Sequence, residues 1–105
     1  MNRKNPIFLK TKNLVKENEP NATVILYGSH ARGDNNKDSD IDILILIDKA
    51  VVSRADEKRV KYPLYDLEFD TGQIISPLVF SRQDWEQRHC ITPLFDNIKL
   101  DGIQL

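Results

Sequence analysis

Two short runs of β-branched and aliphatic residues, 23–27 (Thr-Val-Ile-Leu-Tyr) and 41–47 (Ile-Asp-Ile-Leu-Ile-Leu-Ile), bracket a glycine turn and a pair of aspartates. Runs this short and this apolar predict strands, and the second, apolar almost throughout, predicts a buried one. Between them lie Gly28-Ser29-His30-Ala31-Arg32-Gly33, a polar stretch at 34–39, and Asp40-Ile41-Asp42. The order is strand, tight turn, one-turn helix at 30–33, surface loop, acid-bearing strand. It sets a phosphate-sized turn beside a metal-sized pair of carboxylates.

Each residue type has a physical reason to be where it is. After Tyr27 the chain must leave a strand sharply, and Gly28 permits both the turn and close approach of backbone to a ligand. Ser29 offers a hydroxyl and a backbone N–H at the start of the short helix, where free amides favour a phosphate. Arg32 follows one turn later, in position to add a guanidinium. Gly33 suits a left-handed helix end. Asp40 and Asp42, two positions apart, share one strand face. Carboxylates held side by side repel unless a cation sits between them. Mg²⁺ takes hard oxygen ligands, commonly one or two carboxylates plus substrate phosphate oxygens.

The stretch Gly28-Ser29-x-Ala31-Arg32-Gly33 followed by Ser39-Asp40-x-Asp42-Ile43-Leu44-Ile45 closely resembles the motif of the DNA polymerase β-like nucleotidyltransferase superfamily. Within it, the short length is similar to that of the minimal nucleotidyltransferases of bacteria and archaea. The resemblance implies an α/β (α+β) fold: a small mixed β-sheet backed by helices. It also implies Mg²⁺-dependent transfer of a nucleoside monophosphate from an NTP, with ATP as first choice, to a hydroxyl acceptor. Carried onto this chain, Gly28, Ser29, Arg32 and Ser39 would hold the triphosphate, while Asp40 and Asp42 would bind one or two Mg²⁺ ions. The resemblance further implies a third carboxylate on a later strand. Similar minimal nucleotidyltransferases often pair with a helical HEPN-type toxin, the transferase serving as antitoxin and attaching AMP to a toxin hydroxyl.

The third carboxylate is harder to place. Asp66, Glu68 and Asp70 are the candidates, with Glu68 carried forward as the catalytic choice. If residues 65–70 form a strand, the three acids share a face; if they end a helix, Val60, Leu64 and Leu67 form an i, i+4, i+7 stripe instead. The charged run 54–61 and the stop at Thr71-Gly72 favour a helix to about Asp70, kinked by Pro63. The strand expected next, 73–80, carries no acid, and Pro77 marks it as an edge strand or a bulge. A transferase without a well-placed general base is slowed, an effect worth ~10²–10⁴-fold. The alternative reading is therefore a module that binds nucleotide and turns it over poorly.

The rest of the chain supplies a frame. At 105 residues one domain, 1–105, is expected, with room for a single core. Residues 6–18 predict a first helix with Ile7, Phe8, Leu14 and Val15 inward. Ser81 with Asp84 at the third position predicts a helix start, Trp85 reads as a packing anchor, and the tail from Pro93 predicts a short helix and an extended end folded back on the core. Arg54, Asp56, Glu57, Lys58, Arg59 and Lys61 alternate in sign, which predicts a solvated helix face. A net charge of -1 gives no pull toward nucleic acid. Run 41–47 is too short to span a bilayer, and the start at Asn2-Arg3-Lys4-Asn5 lacks the apolar stretch of a secretory leader. The lone Cys90 excludes an internal disulfide and fits a reducing cytoplasm; beside His89 it has poor ligand spacing and reads as a bystander. A domain of this size lacks a lid or substrate-binding module, so a second copy or a separate protein is expected to complete the site.

Overall fold

The computed structural model describes residues 5–105; Asn2, Arg3 and Lys4, considered above for a leader, lie outside them. The elements run α1 (Pro6–Asn18), β1 (Thr23–Tyr27), α2 (Ser29–Arg32), β2 (Ile41–Ile47), α3 (Arg54–Thr71), β3 (Ile75–Ser81), α4 (Arg82–Gln87), α5 (Pro93–Asp101) and β4 (Ile103–Gln104). The strands form one sheet in the order β3-β2-β1-β4. β1 pairs antiparallel with β2 and with β4, whereas β2 and β3 are parallel across the α3 connection. The expected mixed sheet backed by helices is what the chain forms.

β2 is buried on both faces, which is why its sequence hardly alternates. Ile41, Ile43, Ile45 and Ile47 pack with Phe8 and Val15 of α1 and Val60, Leu64 and Leu67 of α3. Leu44 and Leu46 point the other way, into a smaller cluster with Trp85 of α4 and Ile98 of α5. Trp85 is thus the packing anchor expected of it, 5.3 Å from Phe95 between ring centroids. Asp42, sharing the parity of Leu44 and Leu46, belongs to that second face.

α3 is one helix through Pro63, and Gly72 closes it in the left-handed conformation at φ 74°. Proline removes a single ladder bond there, and its ring lies in a groove against Lys10, Asn13 and Leu14 of α1. β3 therefore starts at Ile75, later than residue 73, and Pro77 sits on the edge strand, paired in register with Ile43.

The charged face of α3 is not uniformly solvated. Ser53 and Asp56 form a capping box, with Ser53 Oγ accepting from Asp56 N at 3.1 Å and Asp56 Oδ2 accepting from Ser53 N at 3.0 Å. Lys49 Nζ donates to Asp56 Oδ1 at 2.8 Å and Arg59 Nη2 to the same oxygen at 2.6 Å, while Arg59 also pairs with Glu19. Asp56 is only 6% exposed as a result. Alternation of sign predicts a wet face; Asp56 is instead covered by Lys49 from the preceding loop and by Arg59 one turn on, and Glu19 at α1's end pairs with those two cations, which periodicity within α3 does not register.

Candidate active site

The site is built where β1 ends and β2 begins. Tyr27 and Asp42 are directly opposed across the antiparallel pair, and Asp42 is opposed to Ser76 on the parallel side. Gly28 then turns the chain at φ 76°, ψ -155°, a region open essentially to glycine alone. A Cβ on Gly28 would stand 2.3 Å from Asp42 Oδ2, so the carboxylate lies directly against the turn. α2 starts at Ser29, one residue earlier than the sequence suggests, and ends at Gly33 in the left-handed conformation (φ 82°).

Asp42 is half-buried, and its carboxyl is held above the ordinary aspartate range, first by burial and then by Asp40; His30 and Arg32 oppose the shift. Burial, reinforced by the charge of Asp42, pushes the Tyr27 phenol up to about 12, leaving it protonated at neutral pH. Asp40 stands at the exposed mouth, and Ser76 Oγ donates to its Oδ2 at 3.4 Å. The two aspartates are therefore electrostatically coupled hard-oxygen donors at the end of an interior strand. That is a donor set Mg²⁺ accepts. No cluster of three or more His, Cys, Asp and Glu side chains exists among the described residues, so other positions around an ion would fall to substrate oxygens and water.

Gly28, Ser29, Arg32 and Asp42 line a cleft of about 360 Å³ whose far wall is α5, with Leu94, Asn97 and Asp101 facing it. This wall is absent from the sequence reading, although 94, 97 and 101 fall at helical spacing. Arg32 is held at the cleft edge by Asp34 (Nε to Oδ2, 3.1 Å) and by Asp101 (Nη1 to Oδ2, 3.5 Å). His30, on the same turn of helix, meets the Ser39 carbonyl at 3.1 Å through Nε2 and lines a neighbouring cleft of about 600 Å³ with Phe8, Lys37 and Gln73.

Two residues singled out in the sequence sit apart from this group. Ser39 uses its hydroxyl within the loop, accepting from Asn36 N at 3.0 Å. Glu68 lies on α3, and its Oε1 accepts from the Ile75 backbone N–H at 2.7 Å, fixing the start of β3. Asp66 and Asp70 line the α1–α3 groove. The residue that faces Asp42 from β3 is Ser76, not a carboxylate.

Known proteins resemble the chain at two levels. Over 60 residues it is 38% identical to a Methanocaldococcus jannaschii protein named as a candidate protein adenylyltransferase, a match covering 56% of this chain and 59% of that one. The match thus spans less than two thirds of the relative's length. In fold, it superposes with a TM-score of 0.65 and 18% identity on a chain from a crystal structure of a toxin–antitoxin with AMP-PNP, covering 91% of this chain and 69% of that one. A mutant of the toxin–antitoxin MntA–HpeT gives 0.63 at 19% identity over the same shares. Residues 9–91 match the nucleotidyltransferase domain, the family to which this chain belongs.

Proposed function

We propose that the chain is an NTP-dependent nucleotidyltransferase that moves a nucleoside monophosphate, AMP from ATP in the first instance, onto a hydroxyl of a partner protein. The observation that carries this is the contact of the Gly28 turn with the Asp42 carboxylate, which brings phosphate-binding backbone and metal-binding oxygens into one cleft. Ser29 and the α2 backbone would hold the triphosphate, with Arg32 at its edge; Leu94 and Asn97 face the space left for the nucleoside. Asp40 and Asp42 would hold Mg²⁺, which when bound neutralises phosphate charge and favours in-line displacement. In that displacement the acceptor oxygen forms a bond to the α-phosphorus, the bond to the bridging oxygen breaks, and pyrophosphate leaves. The acceptor proton passes to a carboxylate oxygen or to water.

The choice of AMP and of a protein acceptor rests on the resemblance to the M. jannaschii protein, and the choice of a toxin as partner on the toxin–antitoxin folds. A helical HEPN-type toxin in the cytoplasm is the finer form of that proposal. No helix among the described residues is long and apolar enough to cross a membrane.

A second reading has its own support. With Ser76 opposite Asp42 and Glu68 bonded to Ile75, the site has two acids rather than three, which favours a module that binds nucleotide and partner and transfers slowly. Incubation with α-³²P-labelled ATP, CTP, GTP and UTP, Mg²⁺ and host lysate separates the two. Label on a discrete protein that vanishes with Asp40→Asn supports transfer. Mg²⁺-dependent ATP binding without label supports the binding module.

A further inference from the structure

β1 leaves the sheet at Gly28, so its ladder with β2 stops at the Tyr27–Asp42 pair. Residues 40 and 41 lie beyond that end. Their support from the sheet comes from the β3 side, where Ile41 N donates to the Ile74 carbonyl at 2.8 Å. The loop leading to Asp40 is bound mainly to itself. Asn36 N donates to Ser39 Oγ at 3.0 Å, Ser39 N to the Asn36 carbonyl at 3.2 Å and Asp38 N to Asn36 Oδ1 at 2.8 Å. Among the described residues, one hydrogen bond ties residues 35–39 to the rest of the chain, and it joins His30 Nε2 to the Ser39 carbonyl at 3.1 Å. A carbonyl oxygen accepts and never donates, so Nε2 is the nitrogen that carries the proton. The ring itself is held by Phe8, which is buried and meets it edge to face, with 6.1 Å between centroids and 84° between planes.

The two ends of this bond adjoin the two halves of the cleft. His30 follows Ser29 on the glycine turn, and Ser39 precedes Asp40. We infer that His30 is a positioning residue: its N–H pins the Ser39–Asp40 peptide where β1 no longer runs alongside, and so sets the Asp40 carboxylate next to Asp42 for Mg²⁺. This rests on the reading of Asp40 and Asp42 as the metal pair. Ser76 Oγ reaches the Asp40 side chain at 3.4 Å but leaves the backbone before it free. Without the His30 bond, the exposed loop would have to become ordered as the ion binds, and the entropy lost would weaken Mg²⁺ binding. The phosphate-binding backbone of the Gly28–Ser29 turn would be untouched, because the imidazole points away from it toward Phe8 and Ser39.

Three substitutions on the whole chain test this, each checked for folding by circular dichroism. Glutamine carries its amide nitrogen as many bonds from the backbone as Nε2, whereas the asparagine nitrogen falls one bond short. His30→Leu should raise the Mg²⁺ concentration needed for half-maximal ATP binding by about tenfold, as loss of one ordering hydrogen bond implies. His30→Gln should restore the wild-type requirement to within about twofold, and His30→Asn should not. Amide hydrogen exchange without Mg²⁺ or ATP gives a second reading. Residues 36–41 should exchange faster in His30→Leu and His30→Asn than in the wild type and His30→Gln. A leucine variant with the wild-type Mg²⁺ requirement overturns the inference, as does asparagine rescuing as well as glutamine. Unchanged exchange over residues 36–41 in His30→Leu does the same without reference to any ligand. A wild-type chain that binds no ATP with Mg²⁺ overturns the proposed function and this inference together, whereas the other adverse results leave that function standing.

Discussion

Residue 28 and Asp42 are fitted to each other so closely that a single methyl group at position 28 would meet the Asp42 carboxylate at 2.3 Å. Gly28→Ala therefore combines two penalties, a side chain at φ 76° and a displaced Asp42 oxygen, the one proposed to hold Mg²⁺. The strain alone is worth ~1–3 kcal/mol. Gly72→Ala separates the two, because it has the same sign of φ (74°) but nothing within 4 Å of the added Cβ. Both variants are expected to lose thermal stability, while only Gly28→Ala loses Mg²⁺-dependent ATP affinity, by tenfold or more on the order of ~1.4 kcal/mol. Equal calorimetric titrations of the two variants would show that the glycine serves the turn and not the carboxylate.

Asp42 carries a stability penalty in its charged form. Burial and the neighbouring Asp40 raise its carboxyl above the ordinary value, so the folded state holds the proton more tightly than the unfolded state does. The stability tied to this group is complete below the unfolded value of about 3.9 and is lost as pH rises through the raised folded value. Asp42→Asn should thus melt above the wild type at pH 7, with the gap closing on acidification toward pH 4. It should also abolish Mg²⁺-dependent nucleotide binding, and wild-type affinity should begin to fall at a higher pH than an exposed aspartate would dictate. Differential scanning calorimetry across that range checks the sign; a variant less stable than wild type at pH 7 would reverse it.

How much of this was legible follows from which interactions are local. The strands at 23–27 and 41–47, the left-handed Gly33, the edge position of Pro77 and the Ser81 cap could all be read because each depends on a few adjacent residues. The same holds for the Gly28–Ser29 and Asp40–Asp42 pairs, whose order and spacing carry the site. What could not be read is long-range. Asp101 reaches Arg32 from the far end of the chain, and Glu19 at the end of α1 pairs with Lys49 and Arg59, the two cations that cover Asp56; Glu68, nearer by, gives its carboxylate to a backbone N–H seven positions on. Spacing cannot say whether the Glu68 carboxylate caps a strand or serves a metal, since its place near a helix end beside a turn allows both.

Ser76 offers a gain-of-function test. It is paired in register with Asp42 and its hydroxyl already touches Asp40, so an acid there would share the face of the existing pair. Ser76→Asp should raise the single-turnover rate of AMP transfer, by up to ~10²-fold if the new carboxylate acts as general base. It should also lower the melting temperature in the absence of Mg²⁺, because three carboxylates then repel. Glu68→Gln provides the contrast: its side-chain oxygen can still accept from Ile75, so rate and nucleotide affinity should hold within about twofold, an energy near ~0.4 kcal/mol. A collapse of activity in Glu68→Gln would return that residue to the catalytic group.

The capping box at the start of α3 should govern acid stability. Lys49 first, then the Ser53 backbone N–H and Arg59, hold the Asp56 carboxyl well below the usual carboxylate range. A depressed folded value means the stabilisation is present above the unfolded value of about 3.9 and is lost as pH falls toward the folded one. Urea midpoints of wild type and Asp56→Ala should therefore differ most near pH 7 and converge below about pH 4, where the unfolded aspartate is protonated. Ser53→Ala removes the reciprocal half of the box and should cost about 1 kcal/mol near pH 7 and less below about pH 4, because the Ser53 hydroxyl also helps hold the Asp56 carboxyl down. Both effects should leave Mg²⁺-dependent nucleotide binding unchanged in the folded protein, since the box lies beyond β2's opposite end from Asp42. If Asp56→Ala kept the full wild-type midpoint at pH 7, the Lys49–Asp56–Arg59 cluster would be an ornament of the surface, and the start of α3 would rest on the burial of Val60 and Leu64 alone.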